Sequence, residues 1–402
     1  MNMSGSLLTI SPHSREPLIW RDRLLGHNPA MFLDRAIASA LSRIDRNLAT
    51  FGDRFPAPSS VGGTYPLIEN VEWTSGFWTG TLWLAFELSG DNRYREAAER
   101  HLPSYGRRIA ERINVDHHDL GFLYSLSCVA ADKLTGNPAA REYAVAAAEL
   151  LHARYLLQAG IIQAWGDLDD PSQAGRMIID CNLNLPLLYW ASQATGNPKY
   201  SLAADSHIAQ AEKYLVRPDS STFHTFFMDP RTGAPREGKT HQGFSDTSCW
   251  ARGQAWGIAG FAAVFRHKAD PNLIATAAKL ANYFLNRLPD DLVCCWDLIF
   301  TGPPEPRDSS AAAIAACGLL ELTEHLPPTD PDREAYQGAA VAIIKSLAEF
   351  YANAPDAAGT GIVRHAVYHM PNRIGVDESC IWGDYFYLEA LMRLTRVWET
   401  YW

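Results

Sequence analysis

Asp180 stands in the run Met177-Ile-Ile-Asp-Cys-Asn-Leu, a largely apolar setting. Such surroundings disfavour an ionised carboxylate, and an aspartate is seldom buried without a partner or a task. Asp119 is a second unusual carboxylate, because it follows Asp116, His117 and His118. Tryptophan is the third signal: the chain has 12, among them Trp73, Trp165, Trp250 and Trp256 close to these polar stretches. Carboxylates and indoles around a concavity suit a sugar, whose pyranose faces can lie on aromatic rings. Arg252, two residues after Trp250, points to an anionic one. The pair His117-His118 invites a metal reading, but adjacent residues on a helix or strand point apart. No three-ligand His/carboxylate set is visible in the sequence, so neither a metal nor another cofactor is expected. Each of these residues also has a plain alternative. Asp119, Asp180, Asp308 and Asp384 could be helix N-caps, and the tryptophans could be core.

The elements that would position these residues come from a weak internal repeat. Ser89-Gly-Asp-Asn, Thr135-Gly-Asn-Pro and Thr195-Gly-Asn-Pro each follow an apolar helical stretch and precede an Ala-rich run. Gly past a helix end, with Asn or Pro opening the next, is the expected stop-and-start signal. Looser versions occur at Asp270-Pro-Asn and Asp330-Pro-Asp. Leu33, Ile37, Leu41, Ile44 and Leu48 fall on one helical face, as do Ile274, Ala277, Leu280, Phe284 and Leu288. About a dozen helices in six hairpins predict an all-α (α/α)6 barrel, with a helical solenoid or irregular bundle as the alternative. Strands are few, with one candidate at Ser221 to Met228. The first helix of each pair would line an inner ring. Its six starts, at Trp73, His118, Ile179, Trp250, Asp308 and Trp382, would then converge on one rim, with their positive dipole ends facing the cavity.

Composition bounds the possibilities. A chain of 402 residues, 47% hydrophobic and 20% charged, can bury a large core and is not disordered. The formal charge of −10 argues against a general nucleic-acid binder. The seven cysteines include no Cys-x-x-Cys pair and read as buried small hydrophobes in a reducing compartment. The apolar patch Leu7-Leu-Thr-Ile is too short for a signal-peptide core, and no run reaches membrane-spanning length. A soluble, cytoplasmic protein without membrane partners is expected. It would be one barrel domain over 1–402, with 1–30 an extension of unknown role. The oligomeric state is not legible.

Several stretches, taken together and in order, resemble the unsaturated glucuronyl hydrolases, glycoside hydrolase family 88. They are Trp73-Thr-Ser-Gly-Phe-Trp, His117-His-Asp-Leu-Gly-Phe-Leu-Tyr, Gly160-Ile-Ile-Gln-Ala-Trp-Gly and Ile178-Ile-Asp-Cys-Asn-Leu-Asn-Leu-Pro. To these add Ser221-Thr-Phe-His-Thr-Phe, Thr240-His-Gln-Gly, Trp250-Ala-Arg-Gly-Gln-Ala-Trp-Gly and Ile381-Trp-Gly-Asp-Tyr. The resemblance runs from about Phe51 to Trp402 and implies the same barrel. It also implies a substrate, an oligosaccharide with a Δ4,5-unsaturated uronic acid at its non-reducing end, and a reaction, hydration of the C4=C5 vinyl ether.

By motif match, Asp180 would be the general acid/base and Asp119 the second essential carboxylate. His224, Arg252, Gln242 and Trp165 would contact substrate, Trp73, Trp250 and Trp256 would be further walls, and His118 would lie near the site. The chemistry fits these residue types, since protonating an enol-ether carbon needs an acid still protonated near neutral pH. Asn182 and Asn184 depart from the family pattern beside the acid. No Ser-x-Ser-x-Lys occurs near Tyr368 to Arg373, which implies an unsulfated substrate. Three rival readings remain. One is an unsaturated rhamnogalacturonyl hydrolase acting on pectin fragments, another a sugar epimerase on the same barrel, and the third a non-catalytic sugar-binding barrel.

Overall fold

Each turn signature does end one helix and begin another. Gly90, Gly136 and Gly196 sit just past helix ends with φ of 74°, 66° and 70°, a left-handed conformation that costs glycine no Cβ clash. Asp91, Asn137 and Asp270 then accept backbone N–H bonds from the first turn of the following helix. The computed structural model describes residues 15–19, 21–170 and 173–402.

Twelve long helices among these residues form the frame. They are α1 (Leu33–Phe51), α2 (Ser75–Ser89), α3 (Asn92–Ala110), α4 (Leu120–Tyr124 running on through Ser125–Val129 and Ala130–Thr135), α5 (Pro138–His152) and α6 (Pro186–Thr195). The rest are α7 (Lys199–Leu215), α8 (Ala251–Lys268), α9 (Pro271–Leu285), α10 (Ser309–His325), α11 (Arg333–Ser346) and α12 (Ile381–Thr395). The even-numbered helices pack in a closed ring, α2 to α4 and onward to α12 and back to α2. The odd-numbered helices lie outside, which makes the fold an (α/α)6 barrel. Five of the pairs are sequential hairpins. The sixth pairs helices far apart in the chain: α12 packs on α1.

Burial separates the two rings. In α10 every residue from Ser309 to Thr323 is buried, as expected of a helix covered on all sides. In α1 the buried positions Ala36, Ala40, Ile44 and Phe51 mark one face. The tail after α12 turns into the barrel end. Trp402 is 5% exposed there, stacked parallel to Phe386 at 5.9 Å, and its indole N–H donates to Glu389 at 2.8 Å.

Short strands decorate the rim. β1 (Arg176–Ile178), β2 (Thr225–Met228) and β3 (Pro235–Lys239) form an antiparallel sheet, and β4 (Ala366–His369) pairs with β5 (Ile374–Glu378). The strand expected within 221–228 is therefore present from Thr225. Part of the N-terminal extension lies on outer helices: Arg15 pairs with Asp330 at 2.9 Å, and Asn282 donates to the Glu16 carbonyl at 2.6 Å. The Leu7 to Ile10 patch lies outside the described residues. All seven cysteines are free and buried. Among the described residues no helix is long and apolar enough to cross a membrane.

Candidate active site

The two aspartates are brought together by the junction of α4 with the turn before α6. Asp180 sits on a 3-10 turn, Ile179–Leu183, that β1 feeds directly. Asn184 closes that turn by donating to the Asp180 carbonyl at 3.2 Å, and its Oδ1 accepts the Phe122 backbone N–H at 2.8 Å. The approach is close enough that a Cβ on Gly121 would lie 2.4 Å from Asn184 Cα. Any larger residue there would drive the carboxylates apart. Asn184, a departure from the family pattern in the sequence, thus acts as the tie between the two segments.

Asp119, Asp180, His118, His224, Gln242, Arg252, Trp73 and Trp165 line one cavity of about 250 Å³, together with His241, Tyr368 and His369. A larger groove, about 540 Å³, lies between α1 and the turn at Leu347–Tyr351. Its lining is mostly Ala and Ser with a lone Arg35 and Glu349, so the chemistry belongs to the smaller cavity.

Electrostatics separates the two carboxylates. Burial, and then the nearby Asp119 charge, push Asp180 up to about 8, against a smaller opposing pull from Arg252. Its Oδ1 is sealed from solvent with no hydrogen-bond partner. For Asp119, burial also pushes upward, but His118, His117 and the Arg108 cation outweigh it and hold the carboxyl below its usual range. The two carboxyls are thus pushed in opposite directions, Asp180 toward its protonated form and Asp119 toward its ionised one. Burial lowers His118 to about 4. It is thus a neutral donor whose Nε2 lies 3.3 Å from Asp119 Oδ1.

The walls supply directed donors and apolar faces. His224 Nδ1 accepts the backbone N–H groups of His241 at 2.9 Å and Gln242 at 3.2 Å, which leaves the ring proton on Nε2. Burial, reinforced by neighbouring positive charge, keeps that ring neutral. Arg252 is sandwiched between the indoles of Trp250 and Trp382, 4.6 and 4.9 Å from their centroids. Its guanidinium bonds Gln242 Oε1 at 2.9 Å, the Tyr368 carbonyl at 2.7 Å, the Val367 carbonyl, and Asp308 at 3.3 Å. Trp73 donates its indole N–H to the Tyr368 hydroxyl at 3.1 Å, so the Tyr368 O–H proton is left for the cavity. Trp165 carries the Arg176 guanidinium on its ring at 4.8 Å.

Two expected walls are not brought to the cavity. Trp256 is fully buried on α8 against Phe122 and Phe386; it is core beneath the site. Trp250 stands behind the lining, its ring 4.3 Å from that of His224, and supports His224 and Arg252. Two further aspartates resolve differently. Asp308 is the N-cap of α10, accepting from Ser310 and Ala311, and also anchors Arg252. Asp384 lies away from the cavity and accepts from Ile362, Val363 and Tyr65. Sequence reasoning singled out neither Tyr368 nor His369, because both sit on a hairpin whose approach to Asp119 is set by barrel closure. His241 lay inside a quoted motif, and that adjacency was its one signal.

The chain is similar to known proteins over most of its length. The chain is 46% identical over 369 residues to the unsaturated chondroitin disaccharide hydrolase of Streptococcus pneumoniae, covering 92% of this chain and 93% of that one. It is 47% identical over 371 residues to the unsaturated glucuronyl hydrolase of a Bacillus species, covering 92% and 98%. The crystal structure of the unsaturated glucuronyl hydrolase from Streptococcus agalactiae superposes with a TM-score of 0.93 at 45% identity, covering 96% of this chain and 98% of that one. The profile described as Glycosyl Hydrolase Family 88 matches residues 63–322, and on these grounds the chain belongs to that family.

Proposed function

We propose that this protein removes the Δ4,5-unsaturated uronic acid from the non-reducing end of lyase-generated, glycosaminoglycan-type oligosaccharides. The observation that carries the reading is the half-buried, desolvated Asp180 acid sharing with the ionised Asp119 a cavity walled by Trp73 and Trp165. Asp180 gives its proton to C4 of the vinyl ether, and positive charge develops at C5 and the ring oxygen. Asp119 stabilises that charge and orients Asp180. Water adds to C5 and returns one proton to Asp180, which restores the acid. The C5 hemiketal opens to a ketone, the ring oxygen becomes the hydroxyl of a C1 hemiacetal, and its collapse to an aldehyde releases the aglycone alcohol. One water is consumed.

His224 Nε2–H, the Tyr368 O–H and the Gln242 amide supply neutral donors to the substrate's hydroxyl and carboxylate oxygens. Arg252 is already bonded to Gln242, two carbonyls and the Asp308 carboxylate, so it holds Gln242 in place. The chain from Tyr368 to Arg373 has no Ser-x-Ser-x-Lys, and we assign an unsulfated aglycone on that ground. The buried free thiols fit a reducing, cytoplasmic setting, and the net charge of −10 fits a protein without nucleic-acid partners.

The test is a continuous ultraviolet assay on unsaturated chondroitin and hyaluronan disaccharides, with the Asp180→Asn variant in parallel. Loss of the conjugated absorbance with wild type alone is expected. A flat wild-type trace on all of these refutes the reading, and faster turnover of the 6-sulfated disaccharide refutes the aglycone assignment.

A further inference from the structure

Arg108 lies on the last turn of outer helix α3, outside the cavity lining, and is 1% exposed. It uses all five of its N–H donors. Nε donates to the Ile113 carbonyl at 3.0 Å, and Nη1 to Asn70 Oδ1 at 2.9 Å and the Glu72 carbonyl at 2.8 Å. Nη2 donates to the Val71 carbonyl at 3.1 Å and the Asn114 carbonyl at 2.8 Å. These acceptors belong to two separate rim segments. Residues 70–72 lead into Trp73, and residues 113–114 lead into His117, His118 and Asp119. The same Asn114 carbonyl also bonds His117 Nε2 at 2.8 Å, and His117 Nδ1 accepts the Asp119 backbone N–H at 3.0 Å. A three-link chain thus runs from Arg108 through His117 to the backbone of Asp119.

Every acceptor on Arg108 is neutral, and among the described residues no carboxylate pairs with it. A buried cation is costly to leave without counter-charge, and the carboxylates that feel it are Glu72 and Asp119. We propose that Arg108 is a positioning residue for the reaction: one guanidinium clamps the Trp73 and Asp119 segments together and supplies positive charge behind the Asp119 carboxylate. The inference rests on the catalytic roles proposed above for Asp119 and Asp180. Other groups around Asp119 are His117 and His118 in its own segment, Asp180 and Cys181 across the junction, Arg154 beyond His118, and Tyr368 on the facing hairpin. Glu72 and the Arg112–Asp116 pair lie on the outer side. Burial leaves His118 neutral, and Arg252 across the cavity is paired with Asp308, so the permanent cations acting on Asp119 without a carboxylate partner of their own are Arg108 and Arg154. Of these two, only Arg108 also holds its segment.

The experiment measures kcat and kcat/KM against pH on unsaturated chondroitin disaccharide for wild type, Arg108→Lys, Arg108→Gln and Asn70→Asp. Arg108→Gln removes the charge. Asn70→Asp keeps the shape and the bond to Nη1 but places a carboxylate against the cation. Both are expected to move the acid limb of kcat/KM upward by about half a pH unit or more, because Asp119 loses its uncompensated cation. Arg108→Lys keeps the charge but cannot span both segments from one nitrogen. It should keep the wild-type acid limb while kcat falls roughly 10- to 100-fold and KM rises. Profiles that all superimpose on wild type after scaling would overturn the proposal and leave Arg108 a structural residue. If Arg108→Gln does not fold, the isosteric Asn70→Asp decides alone. Failure of the hydrolase reading would appear in the wild-type trace, whereas failure of this inference appears only in the variants.

Discussion

Replacing Asp180 by asparagine should abolish turnover and also stabilise the fold, by an amount that grows with pH. In the native protein the Asp180 carboxyl keeps its proton up to about 8; in the unfolded chain it loses it near its ordinary value of about 3.9. Between these limits the folded state binds one proton more than the unfolded state. Stability contributed by this group therefore falls as pH rises, by at most about 1.4 kcal/mol per pH unit. The penalty is absent below the unfolded value, grows through the window from about 4 to about 8, and is constant above it. Between pH 5 and pH 7 the limit is roughly 2.7 kcal/mol. Asp180 lies at the floor of a cavity open to solvent, so screening and relaxation reduce this to about half, some 1.3 kcal/mol. Asparagine has the same shape and no titration, so subtracting variant from wild type cancels the other ionisable groups. Thermal melts of both proteins at about pH 5, 6 and 7 should show the variant's Tm advantage widening by about 2 °C across the series. A difference that does not change with pH would refute the assignment of Asp180 as a buried, protonated acid.

Three further outcomes follow from the same geometry. The rate should fall above about pH 8 as Asp180 loses its proton; a kcat/KM still rising past that point would place the acid elsewhere. Tyr368→Phe removes one cavity-facing O–H and the acceptor of the Trp73 indole N–H; it should lower kcat/KM by roughly 10-fold and cost about 1 kcal/mol of stability. An unaltered kcat/KM would remove Tyr368 from the substrate contacts. Trp402→Ala empties the barrel end where the indole stacks on Phe386 and bonds Glu389. It should cost about 3 kcal/mol by denaturant unfolding, and a loss under about 1 kcal/mol would show that the tail is not part of the core.

Much of the frame was legible without coordinates, because its signals are local. A glycine past a helix end and an Asp or Asn directly after it act through backbone conformation and the first turn's N–H groups. The repeat therefore located where the inner helices end and the outer helices begin. Asp180 was legible for a similar reason: a carboxylate inside Met-Ile-Ile-Asp-Cys is out of place whatever surrounds it. The pairing of α12 with α1 was not legible, since nothing local joins residues so far apart in the chain. Trp256 and Trp165 look alike in sequence. Only the direction in which each element faces puts one in the core and the other on the cavity.

Sequence alone indicated the turns between helices, the stretches that open the inner ring and the two candidate carboxylates, since these rest on residue type and short spacing. Tertiary structure decided how the carboxylates differ. Their roles depend on desolvation, on the distance between them and on cations brought from other helices, and these exist only once the ring is closed. It also decided that Arg252 grips Gln242 and Tyr368, and that Arg108, unremarkable on an outer helix, ties two rim segments together. Long side chains bond whatever carbonyls the fold presents to them, and no spacing along the chain records which those will be.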